Sequence, residues 1–256
     1  MKRYLLTLSL ITVLGLSPLL GHADSVRLAS GEWPPYQSEN LKYSGVASRI
    51  VTEAFLSQGI DTEYGYFPWA NSLQNAKSGK WDGTFLWFDT PKRRESFFVS
   101  DPILDVQYVF FYKKNYNFDW KTISDLKGVK IGGTIDYDYG KSFGDAEKEK
   151  LIDVVRASSD KVNFKKLLAG RIQIFPCDLD AGMELLNNSF HQEEVSTIKY
   201  HKRPVKAAPH HLLLSKMVPK NQDRMDKFNK GLKELRESGK IALYLNESRA
   251  GLYKTQ

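Results

Sequence analysis

What this 256-residue chain lacks narrows its function early. It has one cysteine, Cys177, so no internal disulfide is available and cysteine says nothing about redox compartment. After residue 20 no apolar run is long enough to span a bilayer. No G-x-S-x-G, S-x-x-K, P-loop or G-x-G-x-x-G motif is present, and His191, His201, His210 and His211 have no metal-ligand spacing with one another or with Cys177. The sequence therefore points to no cofactor, no metal and no nucleophilic catalysis. Basic residues are scattered rather than gathered into an arm, which argues against a nucleic-acid partner.

What is present begins with an address. Lys2 and Arg3 precede an apolar run from Tyr4 to Leu20, broken by Pro18, and Gly21-His22-Ala23 offers a small-x-Ala cleavage site. This is the pattern of a secretory signal peptide over residues 1–23, cut after Ala23. The expected product is an exported periplasmic protein. Loss of Lys2 and Arg3 lowers the formal charge from +7 to +5.

Past Ala23 short strands alternate with helices, the pattern of an α/β chain. Strands are expected at 25–29, 62–66 and 84–88, and helices at 45–57, stopped by Gly59, and 69–77, capped by Gly79. A strong β run follows at 106–112. The pattern restarts with a strand at 129–132, a helix at 159–169, a strand at 172–175 and a helix at 180–187. A second strong β run, 211–214, precedes a long helix at 222–236.

Ser78 to Pro102, SGKWDGTFLWFDTPKRRESFFVSDP, is the most informative stretch: a strand, a turn with three consecutive cations, then an apolar run ending in Ser-Asp-Pro. A cationic turn at a strand's carboxyl end suits a small anion. Asp82, Thr90, Arg93, Ser100, Asp101 and Pro102 resemble the G-x-x-D … T-x-x-R … F-S-D-P signature of bacterial solute-binding proteins that feed polar amino acid ABC transporters. The resemblance runs through the chain, including a return strand followed by P-K-N and a helix ending E-S-G-K. It implies two α/β lobes joined by two crossover strands, a type II periplasmic binding protein-like fold. Lobe 1 would take residues 24–110 and 209–256, and lobe 2 residues 111–208. It also implies a monomer that captures a small polar solute, an amino acid or amino-acid-like carboxylate, and delivers it to an ABC permease in the inner membrane.

The same resemblance assigns roles. Arg93 would grip the ligand's carboxylate, with Thr90 beside it; Arg94 is the register alternative. An aromatic after the first strand, Trp33 or Tyr36, would pack on the ligand side chain, and Asp178 would take its ammonium, with Asp180 competing. Trp69, Trp87 and Phe88 fall at expected element ends, where flat rings can sandwich a ligand or stack on a cation. Thr134, Asp136 and Tyr137 occupy the turn where the family usually sets a Gly-Thr pair for the carboxylate. Asp136-Tyr137 departs from that pattern, and Leu86-Trp87-Phe88-Asp89 replaces a polar loop, so an aromatic, cyclic or osmolyte-like ligand fits better than a plain amino acid. Two alternatives remain open at this point. One is a cyclohexadienyl or arogenate dehydratase on the same scaffold, with Asp136, Asp178 or His210 as acid. The other is a ligand sensor acting on a chemoreceptor or kinase.

Overall fold

A computed structural model describes residues 24–135 and 137–255. Residues 1–23, expected to be a signal peptide, and Asp136 lie outside the described residues. Among those described, eight strands form one sheet in the order β2-β1-β3-β8-β4-β7-β5-β6.

The first lobe grows from β1 (Asp24–Ser30), α1 (Val46–Leu56), β2 (Ile60–Tyr66), α2 (Trp69–Lys77) and β3 (Gly83–Trp87). β1 pairs in parallel with β2 and β3, each return being made by a helix. Gly45 starts α1 at φ 96°, and a Cβ there would lie 2.6 Å from the Tyr36 carbonyl, so only glycine lets the loop pass so close. The cationic turn expected at Lys92-Arg93-Arg94 is a short helix instead. This is α3 (Pro91–Ser96), with Pro91 in its first turn and the Thr90 hydroxyl accepting from the Arg93 N–H.

Two long strands then carry the chain between lobes. β4 (Phe97–Lys113) and β8 (Ile198–Ser215) run antiparallel for most of their length, well beyond the apolar runs that marked them. Their register slips between Val99 and Pro102, where the expected Ser-Asp-Pro motif turns out to be a bulge. There Ser100 Oγ accepts the Leu212 N–H, His211 Nδ1 bonds the Ser100 carbonyl, and the Asp101 N–H bonds Asn229. Asp82 is equally structural: it accepts the Arg27 N–H and lies near buried Arg224, which also bonds Asp24.

The second lobe contains β5 (Lys130–Thr134), α4 (Lys141–Lys148), β6 (Asp153–Ala157), α5 (Asp160–Leu168), β7 (Ile174–Asp178), α6 (Leu179–Ser189) and α7 (Gln192–Ser196). α8 (Asn221–Glu237) returns to pack on α1, and α9 (Lys240–Arg249) follows the Gly239 turn. The two-residue period of β4 decides which core each side chain enters. Phe110 and Tyr112 join one apolar cluster with Ile131, Phe143 and Ile174; Val109 and Phe111 join the other with Phe164, Phe175 and Leu186. A third cluster, around Leu28, Phe55, Phe85, Leu212 and Phe228, holds the first lobe. Tyr108 packs against clusters of both lobes, at the crossing between them. Each fully buried Phe or Leu contributes about 1.5–3 kcal/mol by transfer alone, so each lobe has its own source of stability.

A candidate binding cleft between the lobes

A cavity of about 420 Å³ opens where the crossover strands pass between the lobes. Its first-lobe wall comes from three places. The loop after β1 supplies Glu32 and Trp33, the start of α2 supplies Trp69, and the end of β3 supplies Leu86, Trp87 and Phe88. Leu86 has φ 61° and the β3–β8 register breaks between Phe85 and Trp87, so normal strand alternation fails. That break lets successive residues face the cavity. Trp87 is fixed by its Nε1–H bond to Thr84 Oγ1 at 2.9 Å. Trp69 lies flat on Gly31, where a Cβ would come within 2.5 Å of the indole.

Arg93 also lines this wall. Its Nη1 donates to the Phe88 carbonyl at 2.5 Å, and the guanidinium sits 4.7 Å from the Trp87 ring centre. Burial lowers its pKa. Arg94 points elsewhere, into a pair with Asp89. Thr90 caps α3 and is not among the lining residues.

From the second lobe come Tyr137, Asp160, Asp178 and Ala181, and from the crossover strands Tyr108 and His210. Asp178 caps α6, with Oδ1 accepting the Ala181 N–H at 2.7 Å. Burial, reinforced by Asp180 and Asp160 and opposed by the Ala181 and Tyr36 bonds, pushes its carboxyl up to about 7. Tyr36 is buried behind the cavity and bonds Asp178 from the first lobe. Asp180 is held away by Arg249 Nε at 2.5 Å. Thr134 is buried and bonds Asp160 Oδ1 at 2.5 Å. Cys177, a buried small side chain, bonds the other oxygen of Asp160. Burial raises the Asp160 carboxyl and lowers His210 to about 4.

Of the residues singled out from sequence, the fold brings Trp33, Trp69, Trp87, Phe88, Arg93, Tyr137 and Asp178 to one cavity; Tyr36 and Thr134 stand one layer behind. Leu86 and His210, noted in the sequence as part of the bulky pocket segment and as a candidate acid, line it too, whereas Glu32, Tyr108, Asp160 and Ala181 were not anticipated. Asp160 opens a helix after Ser159, so in sequence it reads as a cap region; its direction appears only once α5 is placed against β5.

Two lobes, two crossover strands and a lined cleft between them are the architecture of a two-lobed, binding-protein-like fold. Residues 27–247 match the family described as bacterial extracellular solute-binding proteins, family 3, and the chain belongs to that family. No curated protein sequence matches it. Among solved structures it is similar to substrate-binding domain 2 of Lactococcus lactis GlnP in the open conformation, with TM-score 0.73 and 17% identity over 88% of this chain and 95% of that one. It is also similar to the unliganded L-cystine solute receptor of Neisseria gonorrhoeae, with TM-score 0.71 and 19% identity over 90% and 93%. An ancestral arginine-binding protein bound to arginine matches with TM-score 0.59 and 19% identity over 88% and 99%.

Proposed function

We propose that this protein is exported to the periplasm, where as a monomer it captures an amino acid or amino-acid-like carboxylate between its lobes and delivers it to an ABC permease in the inner membrane. The observation that carries this reading is the convergence on one cavity of Arg93 from the first lobe and Asp178 from the second. A guanidinium matches a carboxylate with paired donors, and a buried acid opposite it complements a zwitterion. Neither lobe alone offers both groups, so the solute would favour the closed state by touching both sides. The lobes in this proposal are 24–110 with 209–256, and 111–208. Support for export comes from residues 1–23, from the family's extracellular description and from the lack of any membrane-crossing helix among the described residues.

The test is a thermal-shift screen of amino acids, betaines, polyamines, small organic acids and prephenate, with Arg93→Ala as control. Capture predicts a rise of several degrees with a carboxylated solute, absent in the control. A shift that survives Arg93→Ala would contradict the clamp. The elevated Asp178 carboxyl, in a cavity that His210 also lines, is the one feature that favours the dehydratase reading, and turnover of prephenate in the same samples would establish it.

A further inference from the structure

The cavity wall carries three carboxylates, Glu32, Asp160 and Asp178, against the single guanidinium of Arg93. His210, buried and held neutral by that burial, adds no compensating charge near pH 7. A solute with a carboxylate for Arg93 still has to bring a positive charge of its own to the second-lobe side.

The kind of cation follows from hydrogen bonding. A primary ammonium presents three N–H donors and needs an acceptor for each once water is expelled. The two second-lobe acids already serve protein donors. Asp178 takes the Ala181 N–H and the Tyr36 hydroxyl, the latter 3.0 Å from both carboxylate oxygens. Asp160 takes the Thr134 hydroxyl on one oxygen and the Cys177 thiol on the other. Each acid thus has about two of its four lone-pair sites already taken, while a solute cation, which favours the ionised form, meets its charge whatever acceptor directions remain.

The rest of the wall is aromatic and steeply angled. Trp33 meets Trp69 at 77°, with ring centres 6.2 Å apart, and Trp69 meets Trp87 at 86° and 5.1 Å. Two successive edge-to-face contacts thus join three indoles along this wall. Such faces attract a cation through the ring quadrupole and bury its carbon substituents at the same time. Arg93 already lies over Trp87, which leaves Trp33 and Trp69 as the faces for a solute.

Resting on solute capture by this cleft, we infer that the preferred solute is a zwitterion whose ammonium nitrogen is alkylated, either fully N-methylated or closed into a ring, with few or no N–H bonds to satisfy. The carboxylate goes to Arg93, the alkylated nitrogen sits among Trp33, Trp69 and the second-lobe acids, and the acids act through charge rather than through donated bonds.

The experiment is calorimetric titration of the exported protein with two matched series. One runs from glycine through its mono-, di- and trimethylated forms, and the other from proline to N,N-dimethylproline, with arginine and glutamine as comparators. Affinity should rise at least tenfold from the unmethylated to the fully methylated member of one series. Trp33→Leu and Trp69→Leu should flatten that rise while binding to Arg93 persists. Affinity falling with methylation, or arginine or glutamine binding more tightly than every methylated compound, would overturn the inference and leave solute capture intact. Silence across the whole panel would overturn both.

Discussion

The Tyr36 hydroxyl lies 3.0 Å from each oxygen of Asp178 and 3.3 Å from Asp180, so one first-lobe side chain bonds the head of second-lobe helix α6. Buried and bonded to a carboxylate, it belongs to the stronger class of hydrogen bonds, worth about 1.5–3 kcal/mol. Tyr36→Phe should therefore lower unfolding free energy by roughly that amount in urea titration. It should also raise the Asp178 carboxyl further, because the Tyr36 bond opposes the upward shift. Unchanged stability would mean that the bond is not maintained in solution.

Asp178 gives a second prediction, in pH. Its folded value of about 7 stands above the ordinary 3.8, so between those values the folded protein holds a proton that the unfolded chain releases. For this group alone, stability of the free protein falls as pH rises through that window. A solute cation favours the carboxylate form, so binding expels the proton. Affinity should climb by up to about tenfold per pH unit below 7 and level off above it. His210, at about 4, stays neutral over the upper part of the range. Titration in buffers of different ionisation enthalpy measures the released proton directly, and Asp178→Asn should abolish it.

Gly31 tests the aromatic wall. A Cβ there would fall 2.5 Å from the Trp69 indole, which would have to swing away. Gly31→Ala should weaken solute binding about tenfold or more while moving the melting temperature only a few degrees, because Trp69 is partly exposed at the cavity and lies outside the fully buried core. A large stability loss with affinity intact would make Trp69 a packing residue rather than a wall of the site.

Arg93 and Arg94 are neighbours with different environments. Arg93 is half-buried at the cavity, whereas Arg94 is exposed and paired with Asp89. Arg93→Ala should cost about 10²-fold in affinity for a carboxylated solute, consistent with loss of a desolvated charge-assisted pair. Arg94→Ala should leave affinity nearly unchanged. The reverse order would move the clamp by one residue.

The outline of the fold was readable because its signals are local. Gly59 and Gly79 stop helices, apolar residues recur on α1 and α8, and β-rich runs mark the middle of β4 and the end of β8. The full length of those two strands was hidden by Pro102, Pro204 and Pro209, which a central strand rarely accepts; here the register slips accommodate two of them. α3 was hidden because Pro91-Lys92-Arg93-Arg94 has no apolar face, only a cap. The site was less legible. Trp33, Trp87 and Arg93 stand near motifs and strand ends, but Glu32 and Asp160 reach the cavity by side-chain directions that depend on the placement of neighbouring elements. The left-handed Leu86, which turns the end of β3 toward the cleft, has no sequence signature, since a branched residue rarely adopts that conformation.

The most direct test of the account is calorimetric titration of the protein, Arg93→Ala and Asp178→Asn with whichever solute gives the largest thermal shift. Asparagine remains a competent cap for α6, so the second variant should fold. The account predicts a single site per chain with affinity reduced at least tenfold in each variant, one from each lobe. Full affinity in either variant would show that the two lobes do not converge on one solute through these residues.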